Sequence, residues 1–214
     1  MIVAIDGTLA SGKGTLARRI AAHYGLPHLD TGRLYRTVGV SAMDAGIALD
    51  DRESLARLAK ALDPAALPEA RLRTAEAGQA ASKVAALGEV RQALLDLQRA
   101  FANQPGGAVL DGRDIGTVIC PDADVKLWID AAVEERARRR CAELAAAGTR
   151  ISQEDMVQQL QERDARDRGR KDAPMKRADD AVLIDTTDLS IDAAVEKALS
   201  VIATVRARKF SDRS

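Results

Sequence analysis

Aromatic residues and long apolar runs are scarce in this sequence, and each scarcity excludes a class of function. Phe, Trp and Tyr make up 2% of the 214 residues, so a platform of rings that stacks single-stranded nucleic acid is not expected. No stretch approaches the roughly 20 apolar residues that a bilayer-spanning helix needs. Basic and acidic residues each total 32, so the overall charge gives no reason to expect a nucleic-acid or membrane partner.

Cysteine and histidine are also too few for a structural metal site. Cys120 and Cys141 form no C-x-x-C pair, and only His23 and His28 could join them. Two cysteines in a chain without a recognisable secretory leader favour reduced thiols, and we therefore expect a cytoplasmic protein. The length allows one well-buried core but not two ordinary domains.

Short apolar runs alternate with longer segments of helical periodicity. Each run ends in an aspartate and is predicted to be a strand, at 2–6, 28–30, 108–111, 125–130 and 181–185. Helices are predicted near 14–24, 33–45, 52–62, 75–101, 133–147, 153–166 and 190–208. The alternation predicts a three-layer α/β fold around a parallel sheet of about five strands. Ligands of such sheets bind beyond the carboxyl ends of the strands, where these aspartates lie.

The stretch AIDGTLASGKGTLARRI, residues 4–20, contains the pattern G-x-x-x-x-G-K between a predicted strand and a predicted helix. Glycines let backbone N–H groups surround a phosphate, the helix N-terminus adds a positive dipole end, and Lys13 can reach the outer phosphates. A tight turn with a surface lysine is the alternative. The predicted ATP-binding residues form one continuous loop: Gly7, Thr8, Leu9, Ala10, Ser11, Gly12, Lys13, Gly14 and Thr15.

Gly14 occupies the position where many phosphate-binding loops place a magnesium-binding Ser or Thr, and Thr15 follows it. This departure argues against a GTPase or a motor ATPase, in which that hydroxyl holds the metal. The form GKGT is instead similar to that of nucleoside monophosphate kinases, in which the metal is held mainly by phosphates and water.

Four further blocks supply arginines, hydroxyls and carboxylates: LDTGRLYR (29–36), ASKVAALGEVR (81–91), DGRDIGT (111–117) and ERDARDRGR (162–170). Taken singly, most have an ordinary explanation, because alternating charges on a helix usually form a solvated face. DGRDIGT is harder to explain structurally, since an arginine and an aspartate directly after a buried strand indicate a site.

Together the blocks resemble bacterial cytidylate kinases. IDG…SGKGT, LDTGRLYR, AASKVAA…VR, DGRDIGTV, PDADVKLWIDA, ERDARDRGR and DTTDLSI follow that family's order over nearly the whole chain. The resemblance implies a single P-loop kinase domain of three parts. These are a core of about 1–32, 92–147 and 174–214, an acceptor-binding flap of about 33–91 and an Arg-rich lid of about 148–173.

The resemblance also implies the reaction, in which the γ-phosphoryl group of ATP·Mg²⁺ passes in line to the 5′-phosphate of CMP or dCMP. It assigns catalytic roles to Lys13, Arg113, Arg163 and Arg170. It assigns acceptor binding to Thr31, Arg36, Ser82, Arg91, Arg113, Asp114, Arg163 and Asp167. No direct protein ligand to the metal is expected, and Asp30 or Asp111 would orient it through water. The adenine is expected near the turn at 185–188 and the base of the lid.

Several alternatives stay open at this stage. Residues 63–78 are too short to hold the small sheet that bacterial members usually insert in the flap, so the ranking of CMP, dCMP and UMP is unsettled. An adenylate, uridylate or shikimate-type kinase would share the donor loop and differ at Ser82 and Asp114. A nucleotide-binding regulator, or a nucleic-acid-binding module using 162–170, is disfavoured because Asp164 and Asp167 dilute that basic stretch. We expect a monomer with no nucleic-acid or membrane partner.

Overall fold

The computed structural model describes residues 1–64, 67–146 and 148–211, and in the last helix it describes side chains only as far as residue 208. Five parallel strands form one sheet in the order β2-β3-β1-β4-β5. They are β1 Ile2–Gly7, β2 His28–Asp30, β3 Ala108–Gly112, β4 Val125–Asp130 and β5 Val182–Asp185. The predicted sheet is confirmed, with each strand within one residue of its expected bounds.

Helices cover both faces of the sheet, as the unbroken apolar strands predict. They are α1 Lys13–Tyr24, α2 Thr31–Asp44, α3 Arg52–Lys60, α4 Glu69–Leu72, α5 Ala75–Val84, α6 Gly88–Ala102, α7 Val133–Ala146, α8 Gln153–Arg168 and α9 Ile191–Ser211, with a π-helical turn at Ile115–Ile119. Val3 and Ile5 of β1 face the core formed with α1 and α9, whereas Ala4 faces the core formed with α2 and α6. No helix among the described residues is long and apolar enough to cross a membrane.

One predicted helix, 75–101, is wrong as a single element. The chain leaves the helical path after Val84, and Leu87 is extended with φ −89° and ψ 118° before Gly88 starts α6. Alanine-rich periodicity continues through the break, so the pattern does not reveal the change of direction. Gly88, a weak helix former, lies at the restart. The break lets α5 and α6 present side chains to the same cavity.

Regular structure in the described part of the predicted flap, 33–64 and 67–91, is entirely helical. The proline-containing segment 63–78, expected to be a loop leading into a helix, contains the short α4 and the start of α5. Its residues 65 and 66, and residue 147 at the end of the predicted helix 133–147, lie outside the described residues.

The helices α2 and α5 approach each other closely at Gly39. A Cβ atom at that position would lie 2.8 Å from the Cβ of Ala80 and 3.1 Å from its carbonyl carbon. Neither atom belongs to a flexible side-chain end, so the two helices would have to separate to admit one. The glycine therefore sets the distance between α2 and α5.

We expect Gly39→Leu to lower the free energy of unfolding by about 1–3 kcal/mol, because overpacking forces the two helices apart. Urea denaturation monitored by circular dichroism measures the change. Ser41→Ala in the same helix is the control and should stay within about 0.5 kcal/mol of the wild type. Equal stability of Gly39→Leu and wild type would contradict this account of the contact.

Candidate active site

The predicted phosphate-binding loop connects β1 to α1 in a shape that glycine makes possible. Gly7 has φ +152°, and a Cβ there would lie 1.9 Å from the carbonyl oxygen of Ile129 on β4. Gly12, with φ +87°, lies directly before the first residue of α1. Ala10 also has a positive φ, +61°, which an L-residue adopts only when its surroundings enforce it. The loop is held in a strained form that leaves its backbone near the N-terminus of α1.

Side chains inside the loop hold this shape. The hydroxyl of Thr8 donates to Asp130 at 2.7 Å, and that of Ser11 donates to the Thr8 carbonyl oxygen at 3.0 Å. Both residues are fully buried. Arg139 of α7 donates to the carbonyl oxygen of Ser11 at 3.4 Å and to that of Thr186 at 2.6 Å. Because these side chains are used within the protein, the loop offers an anion mainly its backbone N–H groups and Lys13.

Lys13 is buried at the start of α1, and its Nζ donates to the carbonyl oxygen of Thr8 at 3.2 Å. Burial, reinforced by the positive charge of Arg113, lowers the pKa of Lys13 to about 7, against the opposing effect of Asp111 and Asp30. An anion placed on the loop would restore the charged form of this lysine. The charge of Lys13 and the shape of the loop therefore both favour the binding of a phosphate.

A cavity of about 170 Å³ opens beside the loop, beyond the carboxyl ends of β2 and β3. We call it the arginine-lined cavity. All eight predicted acceptor residues line it, together with Lys13, Gly14 and Arg170. The charged side chains among its lining residues are six cations and four carboxylates: Lys13, Arg36, Arg91, Arg113, Arg163, Arg170, Asp30, Asp111, Asp114 and Asp167. With Lys13 protonated, the excess of two positive charges suits an anionic ligand.

Ion pairs fix most of these charges in place. Arg91 pairs with Asp114 on buried side chains, and Arg36 pairs with Asp30 at 2.6 Å. Asp167 accepts from Arg113 at 3.2 Å and also pairs with Arg170. These ion pairs orient the guanidinium groups before a ligand binds. Binding then loses less side-chain conformational entropy.

Two guanidinium groups of the cavity keep a donor unused. The Nε atoms of Arg163 and Arg170 are buried and have no hydrogen-bond partner among the described residues. Burial, followed by the positive charge of Arg113, lowers the pKa of Arg163 to about 10. A buried donor without a partner is costly, and a bound anion would satisfy it.

Helix α8 covers the cavity and touches α5 of the predicted flap. Arg163 donates to the carbonyl oxygen of Gly78 at 3.0 Å, and Arg166 donates to the hydroxyl of Ser82 at 2.8 Å. The stretch 162–170 is therefore not simply a solvated helix face, since the side chains of Asp167 and Arg170 are 1% and 5% exposed. Four of its charged residues face the interior, Arg163, Asp164, Asp167 and Arg170, whereas Glu162, Arg166 and Arg168 are exposed. The inward charges favour a ligand site over an external nucleic-acid surface.

Sequence reasoning missed Asp6, whose two carboxylate oxygens accept from the N–H groups of Ile115 and Gly116, each at 2.8 Å. Burial raises the pKa of this carboxyl to about 7 in spite of the two backbone hydrogen bonds. Asp6 anchors the π-helical turn that directly follows Arg113 and Asp114. The sequence did contain a signal for Asp6, because it lies at the end of β1 as other aspartates lie at the ends of the other strands.

A second cavity of about 440 Å³ lies on the other side of the loop, between α7 and the start of α9. We call it the loop-side cavity. Ala10, Ser11 and Gly12 of the loop form one wall, and Arg138 and Arg139 of α7 form another. Thr186, from the turn where adenine is expected, lies in the same lining with Leu189 and Ile191. Arg139 was missed as well, because nothing in the sequence distinguishes it from Arg138 and Arg140.

The lowered pKa of Lys13 predicts how stability depends on pH. Between about pH 7 and 10.5 the unfolded chain binds the lysine proton and the folded chain does not, so the free energy of unfolding rises with pH. The contribution of Lys13 over that range is on the order of 4 kcal/mol. Urea denaturation at pH 7, 8.5 and 10 should show this rise in the wild type and a smaller one in Lys13→Met.

The control is Lys60→Met, which alters an exposed lysine at the end of α3, and its stability should change with pH as that of the wild type does. If the stability of Lys13→Met rose with pH as steeply as that of the wild type, the prediction would be refuted.

The chain is similar to known proteins over most of its length. The family model for cytidylate kinase matches residues 3–204. A cytidylate kinase from Xanthobacter autotrophicus is 56% identical over 207 residues, covering 97% of this chain and 99% of the relative. One from Methylocella silvestris is 54% identical over 202 residues, covering 94% of each. A gluconokinase structure from Sinorhizobium meliloti has a TM-score of 0.53 at 14% identity, covering 99% of this chain and 97% of that one, and so shares the fold alone. The chain belongs to the cytidylate kinase family.

Proposed function

We propose that the protein transfers the γ-phosphoryl group of ATP to the 5′-phosphate of CMP, and of dCMP. The observation that carries the proposal is the arginine-lined cavity, which has two more basic than acidic side chains and two buried Nε–H donors without a partner among the described residues. It opens beside Lys13 and Gly14 of the phosphate-binding loop. Relatives named cytidylate kinase, 54% and 56% identical over most of the chain, support the same reaction.

The donor occupies the loop, and its nucleoside extends into the loop-side cavity. The backbone N–H groups of residues 7–15 and the N-terminus of α1 surround the phosphates, and Lys13 lies between the two cavities. The nucleoside then rests against apolar Leu189 and Ile191 and beside Arg139. This placement directs the terminal phosphate toward the arginine-lined cavity.

The acceptor phosphate is held by Arg36 and Arg113, and Arg91 supports them. A phosphate monoester is already anionic at neutral pH, so the transfer requires no general base. Catalysis then consists of alignment and of neutralising the charge on the transferred group. Lys13, Arg113, Arg163 and Arg170 supply that neutralisation, and arginine suits the role because its fork contacts two oxygens at once.

The base of the acceptor is read by Ser82 and Asp114. Arg91 pairs with Asp114 and lies with its Cζ 5.6 Å from the centre of the Tyr35 ring. A carboxylate oriented in this way accepts a hydrogen bond from the amino group of cytosine. Uracil has a carbonyl oxygen at the same place, which the carboxylate repels.

Arg163 and Asp167 contact the ribose. Thr31 also faces the acceptor, at a position where the family often has serine, and it keeps the hydroxyl. The hydroxyl of Thr31 donates to the carbonyl oxygen of Asp111 at 2.8 Å, which places it on the cavity wall at the end of β3. Arg170 lies over the phosphates being exchanged, and α8, as part of a lid, excludes water that would otherwise accept the phosphoryl group.

Magnesium fits this site as a companion of ATP. No cluster of three or more His, Cys, Asp or Glu side chains suited to a metal occurs in the described part of the chain. A carboxylate is nonetheless in place, because the Oδ2 of Asp111 lies 3.7 Å from where a Cβ of Gly14 would be. Asp111 or Asp30 would orient the ion through water, and the ion would neutralise charge on the donor phosphates.

A cytoplasmic location and a monomeric state remain predictions. Size-exclusion chromatography with light scattering measures the oligomeric state directly.

The proposed reaction predicts an order among acceptors. With ATP and Mg²⁺, kcat/KM for ADP release should be about 5- to 150-fold higher with CMP and dCMP than with UMP, since leaving the acceptor oxygens of Asp114 without a donor costs about 1–3 kcal/mol. AMP and GMP should also be poorer acceptors than CMP. A coupled assay for ADP measures all five acceptors under one condition.

Asp114→Ala should reduce the preference for CMP over UMP to a few-fold, which ties the ranking to the carboxylate. Equal rates with UMP in the wild type would contradict the base-reading role. A preference for AMP would favour an adenylate-type kinase, and no acceptor-dependent turnover would refute the kinase proposal.

Removing the guanidinium of Arg170 should lower kcat on the order of 100-fold or more, because one charge-stabilising donor at a transferred group contributes that much. Steady-state kinetics with CMP measures the change. Arg168→Ala is the matched control, since Arg168 is exposed at the end of α8, two residues before Arg170, and does not line the cavity. Wild-type turnover in Arg170→Ala would show that the assignment to the transferred phosphates is wrong.

A further inference from the structure

A buried ion pair outside both cavities joins the donor loop to α8. Arg136 of α7 and Asp164 of α8 approach to 2.9 Å, and their side chains are 6% and 3% exposed. The same guanidinium donates to the carbonyl oxygen of Ala131, after β4, at 3.0 Å and to that of Leu9, in the loop, at 3.2 Å. One side chain therefore connects the end of the sheet, the phosphate-binding loop and the helix that covers the acceptor.

The contact to Leu9 falls at the strained part of the loop. The next residue, Ala10, has the positive φ of 61°. The side chain of Leu9 packs against the apolar cluster between α7 and α8, which includes Leu144 and Leu160. The loop conformation that surrounds a phosphate and the packing of α7 on α8 are thus fixed by the same contacts.

The contact to Asp164 sets the rotation of α8 about its own axis. Arg163 and Asp167, one helical turn apart, line the arginine-lined cavity. Asp164 follows Arg163 directly and faces α7 instead. Asp164 also lies three positions before Asp167, on the adjoining part of the helix surface, so a contact that fixes Asp164 also fixes the rotation of the turn that carries Arg163 and Asp167. The pair with Arg136 therefore determines where Arg163 and Asp167 point.

Stability alone does not account for this pair. The second carboxylate oxygen of Asp164 is buried without a hydrogen-bond partner among the described residues. Buried ion pairs that are incompletely satisfied stabilise a fold no better than apolar side chains of similar volume. A positioning role explains why charges occupy this place.

We propose that Arg136 and Asp164 are positioning residues that couple the donor loop to α8, so that binding of the donor phosphates orients Arg163 and Asp167 toward the acceptor. The inference rests on the proposed function. Coupling of this kind is reciprocal, so the donor nucleotide tightens the acceptor by the same factor as the acceptor tightens the donor.

The test measures that factor by calorimetry. The Kd of CMP is determined alone and with saturating ADP·Mg²⁺, a pair of ligands that fills both subsites without turnover. In the wild type ADP·Mg²⁺ should tighten CMP at least fivefold. In Asp164→Asn and in Arg136→Lys the factor should fall below twofold, while the Kd of each ligand alone changes less than about fivefold.

The double variant Arg136→Met with Asp164→Leu separates positioning from folding. It replaces the ion pair by apolar side chains but also removes the donors to Ala131 and Leu9, so its Tm should fall while a single cooperative transition remains. The coupling factor of this folded variant should fall below twofold. Arg57→Ala, which breaks the exposed pair with Glu53 on α3, is the control and should keep the wild-type factor.

A wild-type factor of one, or a folded double variant that keeps the full factor, would overturn the inference. If CMP does not bind the wild type at millimolar concentration and no ADP is released in the coupled assay, the proposed function fails with it. If CMP is phosphorylated and only the coupling is unchanged, the proposed function stands and the positioning role is wrong.

Discussion

The rest of the structure depends on holding charges of both signs, out of bulk water, at the carboxyl ends of β2 and β3. Removing one partner of a buried pair costs about 3–5 kcal/mol, because the other charge is left without compensation. Here each carboxylate near the cavity has a donor: Asp30 has Arg36, Asp111 has His28 at 2.7 Å, and Asp114 and Asp167 have arginines. Basic side chains outnumber carboxylates in the cavity, and this excess of positive charge attracts a phosphate.

The two sides of the site differ in which groups face the ligand, backbone on one side and side chains on the other. On the proposed donor side the backbone N–H groups would bind the phosphates, while the side chains of Thr8, Ser11 and Arg139 hold the loop in shape. On the proposed acceptor side the cavity is lined by side chains that orient one another. Asp6 connects the two sides, since it precedes Gly7 of the loop and holds the turn after Asp114.

The sequence predicted the strands, the loop and the members of the arginine-lined cavity because these depend on local pattern and on a family resemblance. It missed features that depend on register between distant segments. The break between Val84 and Gly88 lies inside continuous alanine periodicity. Asp164 has the same acid–base surroundings as an exposed residue and is distinguished only by facing Arg136. Arg138 and Arg139 both pair with a carboxylate of their own helix, and Arg139 also donates to carbonyl oxygens across the fold.

The order of strands places the shortest ones at the two edges of the sheet. β2 has three residues and β5 has four, whereas the strands between them have five or six. An edge strand exposes unpaired N–H and C=O groups that can recruit a strand from another chain, and a short edge exposes few of them. The sheet therefore guards against edge-to-edge aggregation through strand length alone, which leaves the residues around its strands free to serve the site.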